Sequence, residues 1–218
     1  MLIRFNNKED WLLRRKGMIT STMASAILGL NPYMSSDEAW ELLVGIREPV
    51  DISHKDYVQK GQKAEKHIRA LWALDHPEYD VEELEDNDYR LWVSDKYPFL
   101  GASGDGAVTL GDKKGMLEIK TTAILSSMQN ENWSFKDEVK IPDNYYLQVL
   151  LELYCSECDF VVLVPELMYS EHATSRRTIF INKDDVQEDI DYVVKKCVEF
   201  YEKYVVTGKR PPRVISWK

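Results

Sequence analysis

The spacing of apolar and polar residues predicts a helical first third of the chain. Four helices follow one another there, over approximately Lys8–Lys16, Thr20–Leu28, Ser35–Val44 and Tyr57–Leu74. The first three begin next to residue types that favour helix N-caps, and Gly29 and Gly45 end the second and third. In the fourth helix Ala64, Ile68 and Trp72 recur at helical spacing, which predicts one apolar stripe facing a core.

The middle of the chain changes to a period of two. Alternating runs separated by Gly, Asp and Pro predict a β meander over Tyr89–Val93, Phe99–Ala102, Ala107–Leu110 and Met116–Thr121. The hairpin turn between the last two strands is predicted at Gly111–Gly115. The segment 122–142 is weakly patterned, and we expect a mobile loop over a site there.

The last part is predicted as a helix, two strands and a final helix, over Asp143–Cys155, Asp159–Pro165, Arg177–Asn182 and Asp184–Val206. The first of these strands is almost wholly apolar, as in strands buried on both faces. This order of elements predicts an α/β core with a mixed β-sheet flanked by helices. No repeat or linker divides the chain, so we expect one domain over 1–218, with a helical part at 1–75, a sheet core with flanking helices at 80–206 and a tail at 207–218.

The composition is that of a globular protein with an acidic balance. Of the 218 residues 44% are hydrophobic and 30% are charged, and the formal net charge is -9. This charge excludes a positive field over the whole surface that would attract nucleic acid or an anionic membrane. The N-terminal residues lack the apolar core of a secretory signal, and no apolar run is long enough to span a bilayer. We therefore expect a cytoplasmic protein with no membrane partner.

The three cysteines do not indicate a metal or redox site. Cys155 and Cys158 form a C-x-x-C, but three thiolates cannot complete a four-cysteine site, and the four histidines have no paired ligand spacing. We expect ordinary thiols in a reducing compartment.

Candidate chemistry is concentrated in a set of carboxylates. Glu118 and Lys120 are two positions apart on a predicted strand, so both project from one face while Ile119 turns to the core. The predicted hairpin brings Asp105 close to Glu118. Two carboxylates beside a lysine can hold a hard divalent cation and activate water for attack on phosphorus. A Glu-x-Lys pair alone is more commonly a solvated ion pair, so this inference depends on further residues.

Two predicted helices supply those further residues. Glu65 follows Gly61 by one helical turn, and the glycine permits close approach of another backbone or a DNA strand. Gln148 and Glu152 are isolated polar positions on one line of an otherwise apolar helix. Buried polar groups need partners, and an active site can supply them.

Five sequence motifs occur in a defined order. They are W-x-x-x-R-x-G-x-I-T-x-[ST] from Trp11, G-x-x-x-E from Gly61, S-x-D-G from Ser103, L-E-I-K from Leu117 and Y-x-x-Q from Tyr145. Over about residues 11–155 this series resembles the lambda-type exonuclease and YqaJ-like viral recombinase family of PD-(D/E)xK nucleases. Gly104 precedes Asp105 where the superfamily name has proline, and Thr22 stands where the family has serine.

The resemblance implies a restriction-endonuclease-like core and a defined activity. The expected protein is a Mg²⁺-dependent 5′-to-3′ exonuclease that digests linear double-stranded DNA from 5′-phosphorylated ends. It would leave 3′ single-stranded overhangs for strand annealing in phage-type recombination. The resemblance also implies two Mg²⁺ ions per active site with Mn²⁺ as an alternative metal, a homotrimeric ring, an annealing-protein partner, and a phage or prophage protein in a bacterial host.

The resemblance also assigns roles by position. The residues that would hold the metal ions are Asp105, Glu118, Ile119 through its carbonyl, and Glu65. Lys120 would be the catalytic lysine, and Gln148 would orient the water nucleophile. The residues at positions that grip the terminal 5′-phosphate are Arg15, Thr20, Thr22 and Ser103. Val58 falls where the family has an apolar wedge that splays the terminal base pair.

Two alternatives stay open. One is a restriction-type endonuclease on the same core, which would need no pocket for a free 5′ end. The other is a non-catalytic DNA-binding or assembly protein, although no metal ligand and no catalytic lysine is missing. The acidic net charge then limits how DNA is held, because only a local basic groove remains. Candidate linings of that groove are Arg14, Arg15, Lys16, Arg176 and Arg177.

Overall fold

The computed structural model describes residues 1–82, 84, 88–135, 139–170 and 172–212. Its α-helices are α1 (Lys8–Arg15), α2 (Ser21–Ile27), α3 (Ser36–Leu43), α4 (Asp56–Asp75), α5 (Ser127–Glu131), α6 (Asp143–Ser156) and α7 (Gln187–Phe200). Its strands are β1 (Leu2–Phe5), β2 (Ile19–Thr20), β3 (Asp80–Val81), β4 (Tyr89–Val93), β5 (Leu100–Ala102), β6 (Gly106–Leu110), β7 (Lys113–Ala123), β8 (Ser134–Phe135), β9 (Val139–Lys140), β10 (Phe160–Ser170), β11 (Ala173–Arg176) and β12 (Ile179–Asn182). A 3₁₀ turn at Asp184–Val186 precedes α7, and a π-helical turn at Tyr201–Val205 follows it.

The central sheet confirms the predicted mixed α/β core. Its strand order is β11-β10-β7-β6-β3, and β12 also pairs with β10. β7 and β10 run parallel, and the other pairs in this sheet are antiparallel. Leu117 and Ile119 on β7 pack with Trp72 of α4, whereas Met116 packs in the larger core cluster with α6. The two faces of β7 are therefore covered by different helices, and β10 is buried on both faces as predicted.

The predicted meander was wrong. β4 and β5 pair with each other in a second sheet of order β1-β4-β5-β2, whereas β6 and β7 belong to the central sheet. The free edge of β4 is occupied by β1, in which Ile3 lies opposite Leu91. The chain leaves the second sheet after Ala102 and enters the central sheet at Gly106. The residues between these two strands therefore lie where the sheets meet.

The loop predictions needed smaller corrections. The hairpin turn is Gly111 and Asp112 alone, because Leu110 already pairs with Lys113 and Gly111 has a positive φ of 58°. In segment 122–142 the described residues include α5, the β8–β9 pair and the buried Trp133, so this weakly patterned segment contains secondary structure. Its expected mobility over a site stays a prediction. Residues 136–138 of that segment lie outside the described part.

Local hydrogen bonds set the ends of several helices and strands. The Asn7 side chain caps α1 by accepting from the backbone N–H of Asp10 at 2.8 Å, and Ser35 forms a capping box with Glu38 at the start of α3. The predicted strand at Arg177–Asn182 begins only at Ile179, since the Arg177 N–H donates to the carbonyl of Pro165.

The three cysteines are free and buried, and burial raises their thiol pKa values. These are unreactive thiols, as expected. Within the described ranges, no helix combines the length and apolar character that a bilayer span requires.

Candidate functional site

Three polar side chains meet where β7 faces α6. Lys120 Nζ and Gln148 Nε2 each donate to Glu118 Oε1 at 2.6 Å. Glu118 is only 3% exposed, and its second oxygen, Oε2, is buried without a partner among the described residues. The two-residue period of β7 puts Glu118 and Lys120 on one face, as predicted. That face lies toward α6, while Ile119 packs on the opposite side against α4.

Asp105 joins this group from the link between the two sheets. Its Oδ2 accepts from the Ile119 N–H at 2.8 Å, and its own N–H donates to the Leu117 carbonyl at 2.9 Å. These two bonds fix Asp105 beside β7 and next to Glu118. The prediction that the hairpin brings the two carboxylates together is confirmed by this geometry.

Glu65 approaches from α4. The helix lies so close to β7 at Gly61 that an added Cβ would be 3.2 Å from Thr121 Oγ1. Glu65 lies one turn later and is half-buried. The predicted close approach at Gly61 is therefore to the protein's own strand.

The electrostatics of the group reflect buried like charges. Burial raises the pKa values of Glu65, Asp105 and Glu118, and the charge of Asp105 adds to the rise at the other two. Burial alone would lower the pKa of Lys120, but Glu118 and Asp105 outweigh it and the pKa of the ammonium is raised. Lys120 therefore stays protonated beside carboxylates whose mutual repulsion a further cation would relieve.

These residues fit a hard divalent cation. Glu118 Oε2 is a buried acceptor that no described residue satisfies, and the hydrogen bond to Ile119 occupies only one oxygen of Asp105. Among the described residues no group of three or more His, Cys, Asp or Glu side chains stands ready as a cluster. The donor set is thus two carboxylates with room for backbone oxygen and water, which suits Mg²⁺ because this ion keeps several waters.

A second set of residues converges on the carbonyl of Arg90. Ser103 Oγ donates to this oxygen at 2.8 Å, and Trp11 Nε1 donates to it at 3.0 Å. The Arg15 guanidinium lies over the Trp11 ring, 4.1 Å from its centroid. Ser103 is two residues before Asp105, so this chain of contacts links Arg15 to the carboxylate site.

Arg15 is a half-buried cation that pairs with no anion in the described part of the chain. Its guanidinium makes no hydrogen bond or ion pair with any described residue, and burial lowers its pKa to about 10. A pocket of about 510 Å³ is lined by Arg15 and Thr20. Thr20 Oγ1 and Thr22 Oγ1 are 3.2 Å apart at the start of α2. Arg15 and these hydroxyls form a set of donors suited to a phosphate.

Most of the remaining predicted DNA-binding residues contact other side chains of the protein. Lys16 pairs with Glu48 at 3.0 Å, and Arg176 pairs with Glu166 at 3.4 Å. The other two basic residues contact uncharged groups. Arg14 donates to the Met18 sulfur, and the Arg177 guanidinium lies over the Phe135 ring. Val58 is half-buried in the first turn of α4, and its predicted wedge role stays a prediction.

Two polar residues near the carboxylates received no role from the sequence. Glu152 is fully buried and accepts from Gln148 Nε2 at 2.7 Å. Arg69 lines a cleft of about 340 Å³ together with Glu65 and Asp105, and its charge opposes the rise in pKa of both carboxylates. Helical spacing was the available signal, because Glu152 and Arg69 each lie one turn after a predicted site residue.

The departure at Gly104 has a steric explanation. A Cβ at this position would overlap the side chain of Met116, which fills the space beside Asp105. Proline would be excluded for the same reason.

Comparisons with known proteins show the family of the chain and the proteins that share its fold. The model of the YqaJ-like viral recombinase domain matches residues 10–159. The uncharacterized protein YqaJ of Bacillus subtilis (strain 168) is 26% identical, and the match covers 94% of this chain and 59% of that protein. The chain therefore spans well under two thirds of the length of this relative.

Solved structures share the fold. The alkaline exonuclease LHK-Exo from Laribacter hongkongensis has a TM-score of 0.62 and 18% identity, covering 93% of this chain and 97% of that chain. Its complex with dAMP has a TM-score of 0.61 and 19% identity, with the same coverage of 93% and 97%. A putative exonuclease from Eubacterium rectale has a TM-score of 0.52 and 12% identity, covering 98% and 90%. The mixed α/β architecture is thus that of alkaline exonucleases.

Proposed function

Because the chain belongs to the YqaJ-like viral recombinase domain family, we propose that it is a metal-dependent exonuclease acting on DNA. It digests linear double-stranded DNA 5′ to 3′ from 5′-phosphorylated ends and leaves 3′ single-stranded overhangs. The observation that carries the proposal is the convergence of Asp105, Glu118, Lys120 and Gln148, with Glu118 Oε2 left as a buried acceptor. Residues 1–218 act in this proposal as one nuclease domain.

The metal ligands in this proposal are Asp105, Glu118, the Ile119 carbonyl and, for a second ion, Glu65. A bound Mg²⁺, or Mn²⁺ in its place, would supply an activated water and would stabilise charge on the phosphate. The Glu118 Oε2 lone pairs support this assignment, because no described residue donates a hydrogen bond to them.

Lys120 and Gln148 act on the reacting groups. The protonated Lys120 ammonium, held on Glu118 at 2.6 Å, stabilises negative charge that develops on the phosphate. Gln148 donates through Nε2 to Glu118, so its amide oxygen remains to accept a hydrogen bond from the attacking water.

Arg15 selects the DNA end. Its fork of N–H donors has no protein anion among the described residues, and a terminal 5′-phosphate supplies one. Thr20, Thr22 and Ser103 add hydroxyl donors, and Val58 separates the terminal base pair. An internal phosphodiester would lack the terminal charge that this pocket accepts, which favours an exonuclease over a restriction-type endonuclease.

The proposal extends to the assembly. A homotrimeric ring around the duplex would keep an acidic protein on DNA by topology, and a single-strand annealing protein would receive the overhang. The setting is the cytoplasm of a bacterium that carries a phage or prophage. Light scattering that gives a monomer at micromolar concentration would contradict the ring.

Digestion of matched substrates tests the activity. Purified protein with Mg²⁺ is incubated with a linear 5′-phosphorylated duplex and with the same sequence as a closed circle. We expect loss of the linear DNA alone, and no loss with EDTA or with Lys120→Met. Intact linear DNA would refute nuclease activity, and cleavage of the closed circle would favour the endonuclease.

A further inference from the structure

Glu152 is a buried carboxylate for which the proposed mechanism has no use. It is 0% exposed on α6, between the fully buried Leu151 and Leu153. Its Oε1 accepts from Gln148, but its Oε2 is buried without a partner among the described residues. An apolar side chain would fill this position at no desolvation cost, whereas a carboxylate with an unsatisfied oxygen costs stability. A residue retained at such a cost points to a role other than packing.

The contacts of Gln148 indicate that role. Its Nε2 lies 2.6 Å from Glu118 Oε1 and 2.7 Å from Glu152 Oε1. A side-chain amide nitrogen carries two hydrogens, and carboxylate oxygens accept them, so both hydrogens are used. When both carboxyl groups are ionised, rotating the amide by half a turn would put its oxygen against two acceptors. Glu118 and Glu152 together therefore fix which way the amide points.

We propose that Glu152 is a positioning residue that acts through Gln148. With only Glu118 as a partner, one amide hydrogen would be unsatisfied and the Gln148 side chain would be free to swing toward other acceptors. With Glu152 in place, Nε2 is held between the two carboxylates, and the amide oxygen is directed away from both as the acceptor for the attacking water. This inference rests on the proposed nuclease function.

The test compares two substitutions of similar size. Glu152→Met removes both acceptor oxygens from an apolar helix, and Glu152→Gln keeps an oxygen that can accept from Gln148 Nε2. Steady-state digestion of a 5′-phosphorylated duplex gives kcat and KM, and thermal unfolding gives Tm. Cys155→Ala, which shortens another buried side chain on α6, is the matched control for loss of packing.

We expect Glu152→Met to keep or raise Tm and to lower kcat by about 10- to 100-fold, as loss of a residue that orients an active-site group does. KM for the DNA end should stay within about twofold, since no phosphate contact changes. Glu152→Gln should retain most of kcat. Cys155→Ala should lower Tm and leave kcat unchanged, because a small buried cavity lowers stability without changing the alignment of the active-site side chains.

A double-mutant cycle tests whether Glu152 acts through the amide. In a Gln148→Ala background, Glu152→Gln and Glu152→Met should give the same kcat as Gln148→Ala alone. An unchanged kcat in Glu152→Met, a loss that Glu152→Gln shares, or additive losses in the cycle would each overturn the inference. If Glu152→Met does not fold, Glu152→Leu, which also removes both acceptor oxygens, replaces it in the assay and in the cycle with the same expected results. Inactive wild-type protein would refute the nuclease function itself, so the two failures are distinguishable.

Discussion

Replacing Arg15 by methionine should remove the preference for a 5′-phosphate. The guanidinium lies over Trp11 at 4.1 Å and has no anion among the described residues, so an incoming phosphate would be its first charged partner. A hydrogen bond to a charged group contributes about 1.5–3 kcal/mol. Since about 1.4 kcal/mol is tenfold in affinity, we expect Arg15→Met to reduce the preference for phosphorylated ends by about 10- to 150-fold.

The same substitution should not weaken the free protein. Burial lowers the pKa of Arg15 to about 10, below its unfolded value, so folding disfavours the charged form that is present at neutral pH. Methionine removes this charge and keeps an apolar stem against Trp11. Tm at pH 7 should therefore be unchanged or higher, whereas loss of a structural ion pair would lower it.

Initial rates on duplexes with a 5′-phosphate and with a 5′-hydroxyl measure the preference. Arg15→Lys keeps the charge without the forked donors and should fall between wild type and Arg15→Met. Arg47→Met is the matched control, because Arg47 lines the same pocket but already pairs with Glu38 at 2.8 Å. A wild-type preference in Arg15→Met, or an equal fall in rate on both substrates, would refute the role of Arg15.

Three further predictions concern metal binding, packing and pH. Mg²⁺ at 100 times its Kd should stabilise the wild type by about 2.7 kcal/mol, as measured by thermal unfolding; Asp105→Asn should lose most of this gain, and a full gain would contradict the ligand assignment. Gly104→Ala should lower stability by about 1–3 kcal/mol through overlap with Met116; Met116→Ala in the same chain should recover part of that loss in urea unfolding, and additive losses would contradict the overlap. Arg90 holds the pKa of Asp88 below its ordinary value. The Arg90–Asp88 pair therefore stabilises the fold fully at pH values above the unfolded pKa of Asp, about 3.9, and this stabilisation is lost as the pH falls through the pKa of Asp88 in the folded protein. Urea unfolding should therefore show that Arg90→Met costs about 1–3 kcal/mol at pH 7 and less near pH 3, and an equal cost at both would refute the pairing.

Much of the fold could be predicted because its elements have a strong local signal. The apolar face of α4, the cap at Asn7 and the continuous apolar run of β10 each identify an element from neighbouring residues alone. The strands β1 and β2 were missed because they are short and are stabilised by pairing with distant residues, as Ile3 with Leu91 and Ile19 with Leu100. The same long-range pairing separates β4 and β5 from the central sheet, and spacing along the chain contains no sign of it.

The candidate site also combines residues whose meeting the local sequence pattern predicts with residues whose meeting depends on distant packing. Strand periodicity and the hairpin were sufficient to predict that Asp105, Glu118 and Lys120 lie together, and the structure brings them together. The sequence marked Gln148 and Glu152 as an isolated polar line without saying what they contact. Their meeting with Glu118 depends on the packing of α6 against β7, which involves residues 30 positions apart. Only the resemblance to the nuclease family placed Gln148 in the site, because spacing along the chain does not show how α6 packs on β7.

Strand-resolved digestion of a linear duplex shows whether the protein removes nucleotides from 5′ ends with Asp105 and Lys120 in its active site. Each strand carries its own label at its 3′ end, both 5′ ends are phosphorylated, and products are sized over time with Mg²⁺ present. The account predicts that each labelled strand shortens progressively from its 5′ end while its 3′ label is retained, and that Asp105→Asn and Lys120→Met leave both strands intact. Loss of the 3′ labels first, or shortening that persists in either variant, would contradict it.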